Sequence, residues 1–134
     1  VLAAIGVGQM EAIEDRIKRT REVNQIYRKE VGDLFYSFQE ERKTDRSNMW
    51  LTCAIMKGEY KPEDLIDHLA KDNIEGRRLW KPMHEQPVMK GYNKYINGNS
   101  SLLFLQGICL PSGSDLTDAD MERIIKSIKT FFKK

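Results

Sequence analysis

Cysteine and histidine are scarce in this chain, and long apolar runs are missing. The two cysteines, Cys53 and Cys109, sit in apolar surroundings, LTCAI and GICLP. Neither lies in a CxxC or Cys/His spacing, so the sequence offers no metal-binding motif. The expectation is two buried free thiols in a reducing compartment, hence a cytoplasmic protein. No segment approaches the roughly 20 apolar residues of a membrane span. The first residues lack the charged-then-apolar order of a secretory signal. Neither sign of charge dominates: 22 Lys and Arg stand against 20 Asp and Glu, for a net charge of +2. That balance argues against a nucleic-acid binder, which would carry a strongly basic face. A local basic cluster, Arg16, Lys18 and Arg19, is flanked by Glu14, Asp15 and Glu22 and reads as a solvated, ion-paired helix face.

Complete catalytic constellations are missing too. Gly6-Val7-Gly8 falls inside a helical pattern rather than after a strand, so it is no phosphate loop. PSGS, residues 111–114, reads as a turn. No serine or cysteine is paired in sequence with a base, and no lysine has an evident Schiff-base setting. The chain also begins without methionine or helix cap, at VLAAIGVGQMEAIEDRI, which reads as the interior of something longer.

What is present suits one domain of 134 residues, 40% hydrophobic and 31% charged. Residues 1 to about 30 keep helical spacing through Ile5, Met10, Ile13, Ile17 and Tyr27, and read as one long helix ended by Gly32-Asp33. Gly6 and Gly8 suggest a close-packed backbone there. The body, 34–134, alternates short strands with helices. LFYSF (34–38) and NMWLTCAIM (48–56) read as antiparallel neighbours, with both faces of the second apolar enough to be covered. Pro62-Glu63-Asp64 opens a helix that ends near Asn73. A third strand is expected within 74–80, irregular chain around Pro82 and Pro87, one helical turn at 100–105, and a brief strand at 108–110. Thr117 and Asp120 cap a last helix carrying Met121, Ile124, Ile125, Ile128 and Phe131 on one face. The expected fold class is α+β, a small, mainly antiparallel sheet packed against helices on one side.

The chemistry concentrates in RRLWKPMHEQP, residues 77–87. Arg77, Arg78 and Lys81 beside Trp80 make a cationic cluster suited to a carboxylate or phosphate. His84 titrates near neutrality when unperturbed and is suited to proton transfer or to donating to a substrate oxygen. His68 reads as a surface residue of the preceding helix. Surface charge and a backbone-bonded histidine explain the same residues without any site.

NIEGRRLWKPMHEQP (73–87), followed by GICLPSGSDLTDADMERIIKSI (107–128), resembles the C-terminal, small domain of the DegT/DnrJ/StrS family of pyridoxal phosphate-dependent sugar aminotransferases. The opening, VLAAIGVGQMEAIEDRIKRTREVNQIYR, is similar to the family's helix that follows its N-Y-R-M-S-N motif. The resemblance spans essentially all 134 residues. It implies the small domain of a fold-type I aminotransferase, with the catalytic lysine, the aspartate for the pyridine nitrogen and the phosphate-binding groups in a larger domain before Val1. It implies transfer of an amino group, usually from glutamate, to a nucleotide-linked keto-sugar, in a homodimer with shared sites. Arg77 matches the family's arginine in I-E-x-R-x-L-W-K-P-M-H and is expected to bind an anionic substrate group. Trp80 would shape the wall, and Lys81 and His84 would face the sugar nucleotide. Arg78 stands where many members have proline, and Glu85 departs from a common leucine. No catalytic or cofactor-binding residue is expected within 1–134 itself. A non-catalytic relative of the same fold, or a stand-alone α+β interaction module, are the competing readings. The excised-domain reading predicts an orphaned apolar patch on the first helix, and the stand-alone module predicts no exposed apolar face.

Overall fold

In the computed structural model, which describes residues 1–133, the most sharply defined element is the last helix, α5, Asp118–Phe132. Thr117 Oγ1 accepts the Asp120 N–H at 3.1 Å, and the Asp120 carboxylate accepts the Thr117 N–H at 3.0 Å. The expected cap is thus a reciprocal box that satisfies two otherwise orphaned donors. Met121, Ile124, Ile125 and Ile128 are buried on one face of α5. Helix α3, Pro62–Lys71, starts at the expected proline with Glu63 and Asp64 in its first turn, and buries Leu65 and Leu69.

The long first helix is in fact two. Helix α1 spans Leu2–Glu11 and α2 spans Ile13–Val31, with Ala12 at φ −103° between them. The Ala12 N–H bonds back only three residues, to Gln9 C=O, which tightens the turn. The physical reason is contact. Val23, Tyr27 and Val31 anchor α2 in the core, whereas no residue of α1 is buried. A Cβ at Gly6 or Gly8 would meet nothing within 4 Å, so the expected close packing at these glycines is not made by the described residues.

Four short strands, β1 (Ser37–Phe38), β2 (Thr52–Ile55), β3 (Arg77–Arg78) and β4 (Gly107–Leu110), form one sheet in the order β1-β2-β4-β3, antiparallel throughout. The expected neighbours β1 and β2 do pair, Phe38 opposite Ala54. Both are shorter than their apolar runs. Leu34 is used in a 3-10 turn that continues α2, and Met49 takes a positive φ of 49° that breaks the strand before Thr52. Helix α4, Asn99–Gln106, is longer than the expected single turn and feeds directly into β4. Around Pro82 and Pro87 the chain makes two 3-10 turns, Met83–Glu85 and Pro87–Met89.

Because side chains alternate across a sheet, register decides what each face holds. Phe38, Ala54, Ile108, Leu110 and Thr52 point to the inner face, where α2, α3 and α5 pack on them with Phe35, Met56 and Ile74. Each of the Phe, Ile, Leu and Met side chains among these contributes about 1.5–3 kcal/mol on burial. Tyr27 crosses this core and donates its phenol to Pro111 C=O at 2.8 Å, and burial pushes its pKa up. The outer face is not covered by helices in the same way. Only the inner residues of β2 are buried, while Cys53 and Ile55 are half-exposed, so the expectation of two covered faces fails on that side.

Candidate functional site

Arg77 and Arg78 show how strongly the sheet sorts neighbours. Arg78 pairs with Ile108 and turns inward. Its guanidinium meets Glu63 of α3 and Phe104 C=O, and stacks 4.3 Å from the Phe104 ring. Arg78 therefore ties β3 to α3 and α4 and is committed to the fold. Arg77 pairs with Cys109 and lies on the outer face, exposed, with Glu75 as its one carboxylate partner among the described residues, at 2.8 Å. It is an accessible cation at a sheet edge.

Trp80 is 65% exposed and tilts against Trp50, ring centroids 6.1 Å apart. With Cys53, Ile55, Leu79 and Leu103 it lines a groove of about 370 Å³ on the outer face. Gly107 lies under this groove, where any side chain would run into Leu79 and the Leu103 carbonyl. Lys81 is exposed, and its ammonium makes no ion pair or hydrogen bond among the described residues. His84 sits in a separate recess of about 240 Å³, with Met83, Met89, Tyr92, Tyr95 and Ile96. Its Nε2 lies 3.3 Å from Ser101 Oγ and 3.7 Å from a Glu85 carboxylate oxygen, and Ser101 in turn donates to that carboxylate. The His84 side chain is 19% exposed, so the ring is held rather than free to swing. The structure thus brings Arg77 and Trp80 to one face, puts His84 in a separate loop recess, and leaves Lys81 exposed to solvent.

Sequence reasoning missed several participants. Trp50 looked like a strand residue and is instead the ring beside Trp80. Tyr92, Tyr95 and Ile96 read only as a polar-aromatic turn region, yet they wall the histidine recess. The two cysteines, far apart in sequence, are cross-strand partners with sulfurs 3.7 Å apart, both free thiols. The hydrogen bond from Cys53 and the cation of Arg77 lower the Cys109 pKa against the opposing effect of burial. The same bond, with burial, raises Cys53.

Two other groupings are structural. Ser127 donates to Asp72 at 2.6 Å while His68 Nε2 lies 3.1 Å from the Ser127 carbonyl, not its hydroxyl, so this trio clamps α3 to α5 and is no nucleophile–base pair. The buried Ser112 of PSGS accepts the Thr52 N–H at 2.8 Å and donates to Leu110 C=O at 2.7 Å, closing the ladder where β4 ends. A surface depression of about 730 Å³ between α2 and α5 carries the Glu30–Lys129 ion pair and none of the predicted site residues.

Over residues 1–129 the chain matches the DegT/DnrJ/EryC1/StrS aminotransferase family. It belongs to that family. It is 34% identical over 137 aligned residues to EpsN of Bacillus subtilis, provisionally named as a pyridoxal phosphate-dependent aminotransferase, with 98% of this chain and 35% of that protein covered. It is 31% identical to the GDP-perosamine synthase of Escherichia coli O157:H7, covering 98% of this chain and 36% of the synthase. Its fold matches Spr1654 of Streptococcus pneumoniae, solved in a pyridoxal phosphate form, with a TM-score of 0.81 at 21% identity, over 98% of this chain and 35% of that one. The chain therefore spans about a third of the length of the relatives it matches. The fold is the aminotransferase α+β arrangement that the resemblance implied.

Pyridoxal phosphate needs a shielded lysine for its aldehyde and a carboxylate for its ring nitrogen. Among the described residues no lysine or aspartate is buried. Lys94, which lines the His84 recess, is exposed, and no acid is among the lining residues of either recess. The described residues do not by themselves fit the cofactor.

Proposed function

We propose that this chain is the C-terminal, small domain of a pyridoxal phosphate-dependent aminotransferase that moves an amino group from glutamate to a nucleotide-linked keto-sugar. The observation that carries the reading is the family match across residues 1–129, with a GDP-perosamine synthase among the relatives above 30% identity. The share of those relatives that the chain spans supports a larger partner domain that binds the cofactor and holds the Schiff-base lysine. The whole enzyme would be a cytoplasmic homodimer, acting on sugar precursors of cell-surface glycans and on neither nucleic acid nor membrane.

In this reading the outer sheet face and the 77–96 segment form one wall of the substrate cleft. Arg77, exposed and only locally paired, takes a carboxylate or phosphate by bidentate hydrogen bonding. Trp80 supplies an apolar surface, and Lys81 adds a mobile positive charge toward the nucleotide. His84, fixed by Ser101 and Glu85, presents a ring nitrogen to a sugar oxygen. The chain's residues bind and orient, and the cofactor supplies the chemistry from the other domain.

The test uses the full-length protein with glutamate and a panel of nucleotide-linked keto-sugars. Arg77→Ala is expected to raise KM at least tenfold, the loss of one charge-assisted bond of about 1.5–3 kcal/mol. His84→Ala is expected to lower turnover with the keto-sugar. Unchanged turnover in His84→Ala rejects its role, and absence of amino transfer by the wild type with every sugar rejects the aminotransferase reading.

A further inference from the structure

The outer sheet face holds two sulfur atoms that the substrate reading leaves unused. Cys53 on β2 and Cys109 on β4 are directly opposite each other. In an antiparallel ladder, hydrogen-bonded and non-bonded pairs alternate, and the non-bonded pairs bring side chains closest. The phase of this ladder is set by the Met56 N–H, which donates to Gln106 C=O at 2.8 Å. Stepping back two residues at a time makes Ala54/Ile108 and Thr52/Leu110 bonded pairs, with Cys53/Cys109 between them. The Cys53 carbonyl agrees: it accepts the Gln39 N–H at 3.0 Å, on the side away from β4. Non-bonded partners have Cα atoms about 4.5 Å apart, within the span of about 4.4–6.8 Å that a disulfide bridges. The sulfurs already touch at 3.7 Å. Closing the bond takes rotation about side-chain bonds and no change of register.

We propose that Cys53 and Cys109 are a reversible dithiol–disulfide site, oxidised by a small peroxide. Cys109 is 6% exposed, which favours a peroxide over a bulky disulfide as oxidant, and the Arg77 side chain on the same face puts a cation beside its sulfur. The Cys109 thiolate attacks one peroxide oxygen and breaks the O–O bond. The departing hydroxide takes a proton and leaves as water, and Cys109 becomes a sulfenic acid. The Cys53 sulfur then attacks the Cys109 sulfur and displaces the hydroxyl, which takes the Cys53 proton and leaves as a second water. Two thiols lose two hydrogens and two electrons, and one peroxide becomes two waters. A thiol reductant reverses the bond by exchange. The product staples β2 to β4 beside Arg77 and under the groove that Cys53, Ile55 and Trp80 line.

The experiment treats the full-length, folded protein with one equivalent of hydrogen peroxide, alkylates the remaining thiols and maps peptides without reduction. The expected result is a peptide pair joined through Cys53 and Cys109, an intact mass lower by two hydrogens, and full recovery on dithiothreitol. In Cys53→Ser, oxidation is expected to stop at a sulfenic acid on Cys109 that dimedone traps. The proposal is overturned if both thiols are still alkylated after excess peroxide, if Cys109 is over-oxidised with no linked peptide, or if either sulfur pairs elsewhere instead. None of these results depends on substrate turnover, so the aminotransferase reading stands or falls separately.

Discussion

Thr117 and Asp120 illustrate how far a single residue can be argued. Both box bonds at the start of α5 are made, and Thr117 holds the Asp120 carboxyl below its usual range. Thr117→Ala removes a cap worth about 1 kcal/mol. At this chain length that is about 3–4 °C of Tm, read by calorimetry. Glu41 makes a pH prediction. Its carboxylate receives Arg21 at 2.9 Å through both oxygens and the Ser47 N–H, and these bonds hold its pKa at about 2, from an ordinary 4.5. A carboxyl whose folded pKa is depressed stabilises the fold above its unfolded pKa, and that stability is lost as pH falls toward the folded value. Glu41→Gln is therefore expected to be less stable than wild type at pH 7, with the difference shrinking between about pH 4.5 and 2. Urea midpoints measured across that window check it, and a constant gap would rule it out. The Thr117 cap was readable from T-x-x-D alone. The Glu41 bonds were not, because EERKTDRS shows only a charged turn and nothing local places Arg21 across from it.

Among the elements, β4 is the one on which the sheet depends. It pairs with both β2 and β3, and all four of its residues are buried. Gly107 opens it where Leu79 and the Leu103 carbonyl of α4 press against the backbone. Gly107→Ala forces either the sheet or α4 to move, and overpacking of this kind costs about 1–3 kcal/mol. The expected reading is a lower denaturation midpoint with the strand order intact. Helices α3 and α5 were legible because proline, acids and a threonine cap mark their ends while i, i+3, i+4 apolar spacing marks their buried faces. The strands were legible in place but not in length. Their limits come from what the flanking chain does instead: the 3-10 turn at Gly32–Leu34, the positive φ of Met49, and the prolines after β3.

For the whole molecule, the telling feature is α1. Leu2, Ile5, Val7 and Met10 are all more than half exposed, and the helix buries nothing. The excised-domain reading expects an apolar patch on the first helix, and these four side chains are where it would lie. The isolated 134-residue chain is expected to bind a hydrophobic dye and to self-associate with rising concentration in sedimentation. Deleting residues 1–11 is expected to reduce both without lowering the Tm of the body. A monomer at high concentration that takes up no dye would contradict this.

Hydrophobic spacing, capping residues and proline positions by themselves determined that the chain is α+β, where α3 and α5 begin, and which residues carry charge into 77–87. The ordered motifs placed it in its family, a placement that the match across residues 1–129 bears out. Only the tertiary structure decided what each face holds. A strand reverses its side-chain direction at every residue, so one step separates Arg78, locked against Glu63 and Phe104, from Arg77, open on the outer face. The same register, closed between segments far apart in the chain, set Cys53 against Cys109, while loop geometry brought Trp50 to Trp80. Such pairings depend on which strands meet and in which phase, and no local pattern encodes that.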